Sequence, residues 1–335
     1  MKESLSIKDI AKVANVSHST VSRALRHSPL VNEETAERIR RIARDANFRV
    51  SAVGRSLATG CTNSLGVVVT ALSDPFVAQV IPGIEDTANA RGYSVILASS
   101  RADPEREMKV VQSFEERRVD GIIVMASRVG SVYAPVLAAM NIPIVLINSY
   151  HPGGFIHSVS IDNVAGSRSA TRFLIQLGHK RIGYIGDRFG GHSNAGRLAG
   201  YREALERAGM PFLPDLTVEG DSKPDGGVRG IEHLLALPAP PTAVFCFNDM
   251  TAIGVLNALS MRGLSVPGHM AVVGFDDISM ASYTVPPLTT VRQPKPEMGQ
   301  MATEILLNLL GGSTLETSRT VQGELIVRES TAPPT

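Results

Sequence analysis

Polar and aromatic side chains follow a series of apolar runs in the chain, and their types suit a ligand rich in hydroxyl groups. Carboxylates and amides accept from or donate to hydroxyls, a guanidinium binds a ring oxygen or an acidic group, and an aromatic ring covers an apolar face. Two members of the set lie in GDRFGGHSNAGRLAGY, which we interpret as a loop. The set comprises Asp74, Phe76, Asp162, Ser193, Arg197, Asn248, Asp249, Asp276 and Asp277.

Each of these residues also has a structural interpretation. An aspartate after a strand can cap the next helix, and Arg197 can form a structural salt bridge. Ligands of open parallel sheets, however, bind outside the carboxyl ends of the strands. The recurrence of polar residues at successive strand ends therefore favours a pocket.

The elements that would position this set alternate between apolar runs and amphipathic segments. Continuous apolar strands separated by helices indicate parallel sheets covered on both faces, and so many units exceed one compact sheet. The predicted strands are Leu65–Thr70, Tyr93–Ala98, Gly121–Met125, Ile144–Asn148, Ile182–Ile185, Ala243–Phe247, Ala271–Phe275, Leu288–Gln293 and Glu324–Arg328. The predicted helices are Phe76–Ala90, Pro104–Arg117, Asn163–Leu177, Thr251–Met261 and Glu297–Leu310.

A second polar set lies near the N-terminus, on a segment predicted to be helical from His18 to Arg26. Arg23 can bind guanine through two hydrogen bonds, and serine, threonine and histidine can bind base edges or phosphates. A helix over Ile7–Ala14 precedes this segment, Ser17 is a suitable N-cap for it, and a third helix follows Asn32. Two short helices with a tight turn and a supporting third predict a helix-turn-helix. A three-helix bundle that binds another protein is the alternative.

Charge is distributed unevenly along the chain. Residues 1–60 carry a formal charge of +5 and the remainder carries −4, within a net charge of +1. A basic head on a mildly acidic body is typical of a head that binds a polyanion, although a short segment can reach +5 by chance.

Other classes of protein lack support. GHSNA departs from the G-x-S-x-G nucleophile motif, and there is no nucleotide-binding glycine motif, no H-E-x-x-H pattern and no paired-cysteine motif around Cys61 or Cys246. We expect no enzyme activity, cofactor or metal. No apolar run reaches the roughly 18 residues of a membrane span, and the N-terminus lacks a signal peptide. A cytoplasmic protein is expected, and the rival class, a solute-binding protein that serves a transporter, would not need the basic head.

The chain resembles the lactose-repressor (LacI/GalR) family of bacterial regulators. The resemblance rests on IKDIAKVANVSHSTVSRAL, VNEETAERIRRIARDANF and SAVGRSLATG, and it continues through the body. It implies an α/β protein with an N-terminal all-α helix-turn-helix head and a two-lobed periplasmic-binding-protein-like body with parallel sheets. It also implies a homodimer on near-palindromic double-stranded operator DNA, whose affinity for DNA is controlled by a small molecule, by default a sugar or a derivative.

The resemblance also implies roles for individual residues. His18, Ser19 and Arg23 would read bases, and Ser17, Thr20 and Ser22 would lie near the DNA backbone. A hinge helix over 51–58 would form on operator DNA and enter the minor groove with Ser51, Arg55 and Leu57, the leucine acting as a wedge between base pairs. The effector would contact Phe76, Asp162, Ser193, Arg197, Asn248 and Asp276. Ser222 stands where the family often has an aromatic residue, which counts against a flat purine.

The same resemblance implies the domain boundaries. The head would span residues 1–50, and the hinge and linker 51–61. The N-terminal lobe would combine 62–162 with 292–320, and the C-terminal lobe would combine 163–291 with 321–330.

Overall fold

The computed structural model of the protein describes residues 6–46, 48, 60–127, 139–140, 142–149, 157–315 and 318–334. The chain divides into two compact units, Met1–Thr62 and Asn63–Thr335. Each unit has its own hydrophobic core, so each can be described by itself.

The N-terminal unit contains three helices, α1 (Ile7–Ala14), α2 (His18–Leu25) and α3 (Glu33–Asp45). Each begins at a polar cap: the side chains of Ser6, Ser17 and Asn32 accept hydrogen bonds from backbone N–H groups in the first turn of their helices. Such caps satisfy donors that a short helix would otherwise leave unpaired. The apolar faces meet in one core that includes Ile10, Val21 and Ile39, as the sequence periodicity predicts.

The larger unit contains a six-stranded and a four-stranded sheet, both wholly parallel. The first sheet has the order β11-β5-β4-β3-β1-β2 and the second β7-β6-β8-β9, while β10 and β12 form a separate antiparallel ribbon. The strands are β1 (Ser64–Val69), β2 (Ser94–Ser99), β3 (Gly121–Met125), β4 (Ile144–Ile147), β5 (Ser158–Ile161), β6 (Ile182–Asp187), β7 (Thr217–Gly220), β8 (Ala243–Cys246), β9 (Ala271–Val273), β10 (Thr290–Arg292), β11 (Ser318–Val321) and β12 (Glu324–Ile326).

Helices cover the sheets and close two hydrophobic clusters on each. They are α4 (Pro75–Ala90), α5 (Pro104–Glu116), α6 (Asn163–Gln176), α7 (Gly191–Arg207), α8 (Pro224–Leu235), α9 (Asp249–Met261) and α10 (Lys295–Leu310). Burial on both faces explains why β3, β4 and β8 are apolar at every position.

The predicted strands and helices of this unit are confirmed, with ends that differ by no more than two residues. One prediction is wrong: the segment that holds Ser193 and Arg197 is not a loop but helix α7. Helix α7 packs closely against α6 through small residues instead of a wide apolar stripe. Its sequence is therefore rich in glycine and polar residues and lacks the apolar periodicity that predicts a helix. The structure also contains β5, β7, α8 and β11, which were not among the predicted elements.

Candidate functional site

The outward face of α2 carries the residues expected to read DNA. His18, Ser19 and Arg23 are all exposed, whereas Val21 and Ala24 of the same helix are buried. At 3.6 residues per turn the three exposed residues lie within an arc of about 140°, on the side away from the buried pair. The helix therefore presents one continuous polar face.

Hydrogen bonds hold the N-terminal end of this helix in a fixed form. Ser17 Oγ accepts from the Thr20 backbone N–H at 3.1 Å and lies 2.7 Å from Ser19 Oγ and 2.8 Å from Thr20 Oγ1. At the other end, Arg26 donates to Ser22 Oγ at 2.6 Å and to the Ser22 carbonyl at 3.2 Å. The three residues expected near the DNA backbone thus belong to local hydrogen-bond networks at the two ends of α2, with Ser17 exposed and Thr20 and Ser22 half-buried.

The arginines of the head divide into two groups. Arg38 donates to the Ala14 carbonyl and Arg40 to the Ala24 carbonyl, so α3 fixes the ends of α1 and α2. Arg40 also pairs with Glu33 and Glu37. Within the described part of the head, the Arg23 side chain has no hydrogen-bond or ion-pair partner and remains available for a ligand. The hinge residues Ser51, Arg55 and Leu57 lie outside the described residues.

A second group of polar residues meets at the carboxyl ends of the strands in the larger unit, with Arg197 at its centre. The Arg197 side chain is 4% exposed, and its guanidinium carbon lies 4.3 Å from the ring centre of Phe247 and 3.8 Å from that of Phe275. Its Nε donates to Asn163 Oδ1 at 2.9 Å, and its Nη1 donates to the Phe247 carbonyl. Burial lowers the pKa of this guanidinium, and nearby carboxylates oppose that effect.

Asp276 is the carboxylate partner of Arg197. Its Oδ1 lies 3.7 Å from Arg197 Nη2 and accepts from Gln293 Nε2 at 2.6 Å. Burial raises the pKa of Asp276, the charge of Arg197 lowers it, and the charge of Asp74 raises it further. Asp276 has a φ of 116°, a strained conformation for a residue with a side chain and one that recurs at functional sites.

Gln293 joins this group to the first sheet. Its Oε1 accepts from Asn148 Nδ2 at 2.9 Å, and Asn148 Oδ1 accepts from the Ile161 backbone N–H at 3.1 Å. A continuous chain of hydrogen bonds and one ion pair therefore runs from the end of β4, through Gln293 and Asp276, to Arg197 on α7. We call Asn148, Gln293, Asp276 and Arg197 the relay.

A second branch lies at the ends of β6, β7 and β8. Asn248 caps α9 by accepting from the Thr251 backbone N–H at 2.9 Å, and its Nδ2 donates to the Ser222 carbonyl at 3.2 Å. Ser222, at a φ of 63°, donates from Oγ to Asp187 Oδ2. Ser222 stands where the family often has an aromatic residue, and its hydroxyl is bound to the buried carboxylate of Asp187.

Comparison with known proteins identifies the family. Residues 6–51 match the lacI family of bacterial regulatory proteins, and residues 171–331 match a periplasmic binding protein-like domain. The HTH-type transcriptional regulator RegA of Clostridium saccharobutylicum is 36% identical over 328 residues, which cover 97% of this chain and 99% of RegA. The ribose operon repressor of Haemophilus influenzae is 36% identical over 301 residues, 90% of each chain. This chain belongs to the lacI family.

Solved structures of the family agree with the fold. The lac repressor dimer bound to operator and the anti-inducer ONPF matches with a TM-score of 0.89 at 27% identity, covering 98% of this chain and all of that one. The transcriptional regulator CelR in complex with cellobiose matches with a TM-score of 0.75 at 29% identity, over 98% of this chain and all of that one. The predicted fold class and family are confirmed.

Membership of the lacI family establishes the general function. The chain is a DNA-binding transcriptional regulator with a periplasmic-binding-protein-like domain. Its relatives are regulators rather than enzymes. Within the described ranges, no cluster of three metal-ligating side chains occurs, and no helix is long and apolar enough to cross a membrane.

The structure brings only part of the predicted effector set of this lacI-family chain into one network. Arg197 and Asp276 are paired, and Asn248 reaches Ser222. Asp162 caps α6 through the Ala165 backbone N–H at 2.8 Å, which is the structural role weighed for it. Phe76 is 8% exposed within the hydrophobic cluster of the first sheet, and Ser193 is half-buried in the first turn of α7.

Other members of these networks were missed by sequence reasoning. Asn148, Asn163, Asp187, Phe247 and Gln293 all contact a predicted site residue or its neighbour. A signal existed for Asp187, Asn148 and Phe247, since each stands at or beside the end of an apolar strand. The partnership of Asn148 with Gln293 spans 145 positions and carries no local signal.

Proposed function

We propose that this regulator represses transcription by binding operator DNA through α2, and that a sugar or sugar derivative bound at the strand ends changes its affinity for DNA. Phe76, Asp162, Ser193, Arg197, Asn248 and Asp276 form the proposed effector set. The relay is the observation that carries the proposal, because it joins the ligand-facing end of the second sheet to the first sheet through side chains alone. A ligand that moves Asp276 would move Gln293 and Asn148 with it.

The proposal includes a division of the chain into the head at 1–50, a hinge and linker at 51–61, and two lobes. The match of residues 6–51 to the family and the separate cores of the two sheets support this division. Ser51, Arg55 and Leu57 are proposed to enter the minor groove on the evidence of sequence resemblance only. The regulator is further proposed to be cytoplasmic and without enzyme activity, in keeping with its DNA-binding relatives.

Base reading is assigned to His18, Ser19 and Arg23 because the structure leaves all three exposed on one face of α2. Arg23 is the strongest candidate, since a guanidinium binds the O6 and N7 atoms of guanine with two hydrogen bonds. We propose that Ser17, Thr20 and Ser22 contact the DNA backbone, because none of the three is buried and their hydroxyls can donate to phosphate oxygens.

Replacing Arg23 with alanine is expected to weaken specific DNA binding by about 1–3 kcal/mol and to relax the preference at one base pair. Selection of duplexes from a random pool, followed by fluorescence anisotropy titrations, measures both effects. Arg41→Ala removes the same charge from an exposed position on α3 and is the control, expected to leave base preference unchanged. An Arg23→Ala protein that selects the same sequence as the wild type would contradict the assignment.

We propose a dimer surface from three exposed apolar side chains in the second half of the chain. Met261 is 83% exposed, Tyr283 85% and Val285 93%. Large apolar and aromatic side chains are enriched in interfaces between subunits, and this family works as dimers, so a second copy of the chain is the occupant that we propose.

Replacing Tyr283 with aspartate is therefore expected to shift the protein from dimer to monomer, because a charge would be buried without a partner in the interface. Sedimentation velocity over a range of concentrations measures the change, and operator affinity should fall with it. Val327→Asp introduces the same charge at another exposed apolar position and serves as the control. A Tyr283→Asp protein that dimerises as the wild type does would remove Tyr283 from the interface.

A further inference from the structure

We infer that the ligand of the strand-end site is an uncharged molecule rich in hydroxyl groups, and that the site rejects sugar phosphates, sugar acids and nucleotides. This inference rests on the proposed function, since it names the ligand class of the proposed effector site. It follows from how the structure distributes hydrogen-bond donors, acceptors and charge around Arg197 and Asp276.

Arg197 already has a carboxylate neighbour, with which an anion would compete. The rings of Phe247 and Phe275 both lie against its guanidinium, and two of its N–H groups are used by Asn163 Oδ1 and the Phe247 carbonyl. Its remaining edge faces Asp276, 3.7 Å away. An incoming phosphate or carboxylate would have to compete with a carboxylate that is already in place.

Lys295, another buried cation among the described residues near these strand ends, is also occupied. Its side chain is 4% exposed, and its Nζ donates to the backbone carbonyls of Asp276 and Asp277. Two further cations close to the site in sequence are exposed: Arg188 lies 4.5 Å from the ring centre of Phe189, and Lys223 precedes α8. Their charges are solvated and screened, so they offset a buried negative charge weakly.

Negative charge, by contrast, is concentrated where a ligand would lie. Asp276, which follows β9, is 7% exposed, and Asp187, at the end of β6, is 2% exposed, so both carboxylates are buried at the carboxyl end of the second sheet. Asp74 follows the first strand of the other sheet, and its charge reaches Asp276, where it raises the pKa. Carboxylates from both sheets therefore act on the same space.

The chemistry of the ligand follows from this arrangement. Ionised carboxylates only accept hydrogen bonds, so they require ligand groups that donate. A hydroxyl donates to a carboxylate and also accepts from the remaining N–H groups of Arg197. A phosphate dianion or a carboxylate has no proton to donate at neutral pH and would be repelled by Asp276, Asp187 and Asp74 together.

Isothermal titration calorimetry of the full-length dimer against matched pairs tests the inference. The pairs are D-ribose with ribose 5-phosphate, D-glucose with glucose 6-phosphate and with glucuronate, and cytidine and adenosine with their monophosphates. At least one neutral member is expected to bind, and its charged partner to bind at least about tenfold more weakly. Binding of a charged member as tightly as its neutral partner, or failure of every neutral member to bind, would overturn the inference.

Variants establish where each probe binds. Asp276→Asn keeps the shape of the side chain and removes its charge, so it should weaken binding of the neutral probe by at least about tenfold. Asp187→Asn provides the same test if the first variant folds poorly, and Asp225→Asn, an exposed carboxylate on α8, is the control. A charged probe displaced by duplex DNA and unaffected by Asp276→Asn occupies the basic head and leaves the inference standing. A charged probe that binds the wild type as tightly as its neutral partner, and whose affinity Asp276→Asn changes, occupies the strand ends and overturns it.

The same preparations separate this inference from the proposed function. Sequence-specific binding of duplex DNA is measured without any small molecule, so its absence would refute the proposed role of α2 whatever the ligand screen finds. Operator binding that persists while every neutral probe fails would refute the ligand class alone.

Discussion

Replacing Arg197 with alanine is expected to lower the free energy of unfolding of the larger unit by about 3–5 kcal/mol, and to abolish the effector response. The substitution leaves Asp276 buried without its cation and deprives Asn163 Oδ1 and the Phe247 carbonyl of their donor. It also removes the guanidinium that packs against the rings of Phe247 and Phe275. A buried group that loses its partner costs more than the partnership itself contributes.

Urea denaturation measures the loss of stability, and anisotropy titrations with and without a neutral ligand measure the response. Arg168→Ala is the matched control, because Arg168 pairs with Glu203 at 2.8 Å but both side chains are partly exposed. A surface pair of that kind contributes about 1 kcal/mol or less. Operator affinity without ligand should be retained in Arg197→Ala, since the head has its own core. A normal ligand response in that variant would remove Arg197 from the site.

The sequence predicted the elements of this site better than its contacts. Strands with buried faces on both sides are apolar throughout, so β3, β4 and β8 and the polar residues that follow them could be found from composition alone. Asn248 and Asp276 were identified in this way. Which strand end faces which is determined by the strand order of the two sheets, and no local pattern contains that order.

The relay shows the same limit in detail. Nothing in the sequence around Asn148 or Gln293 indicates that these two amides are hydrogen-bonded to each other. Their contacts form only because the chain returns to the first sheet after β10. No local sequence pattern predicts that return. Asp162 illustrates the converse, because a strand-end aspartate of the predicted type proves to cap the next helix.

Helix α7 was interpreted as a loop because the glycines that let it pack against α6 are also typical of loop sequences. Gly196 and Gly200 lie one turn apart on the side that faces α6, where a methyl group at Gly200 would collide with the Val164 carbonyl oxygen. A methyl group at Gly196 would lie 2.9 Å from Asn163 Cβ. Glycine is unfavourable within an isolated helix by about 1 kcal/mol, so only tertiary packing explains its presence here.

This packing makes Gly200→Ala the second large expected effect. The added methyl group must push α7 away from α6, and Arg197, one turn before Gly200, would then separate from Asn163 at the start of α6. Overpacking costs about 1–3 kcal/mol or more, which exceeds the gain in helix propensity of about 1 kcal/mol. We therefore expect a net loss of stability together with weaker binding of the neutral ligand.

Urea denaturation and calorimetry measure the two losses. Glu206→Ala, at an exposed position of the same helix, is the control and should change neither by more than about 0.5 kcal/mol. If Gly200→Ala stabilised the protein and left ligand affinity unchanged, the close approach of α7 to α6 would not be what positions Arg197. If Gly200→Ala lowers both stability and ligand affinity, and Arg168→Ala on α6 leaves ligand affinity unchanged, the close packing of α7 against α6 is what positions the Arg197 guanidinium.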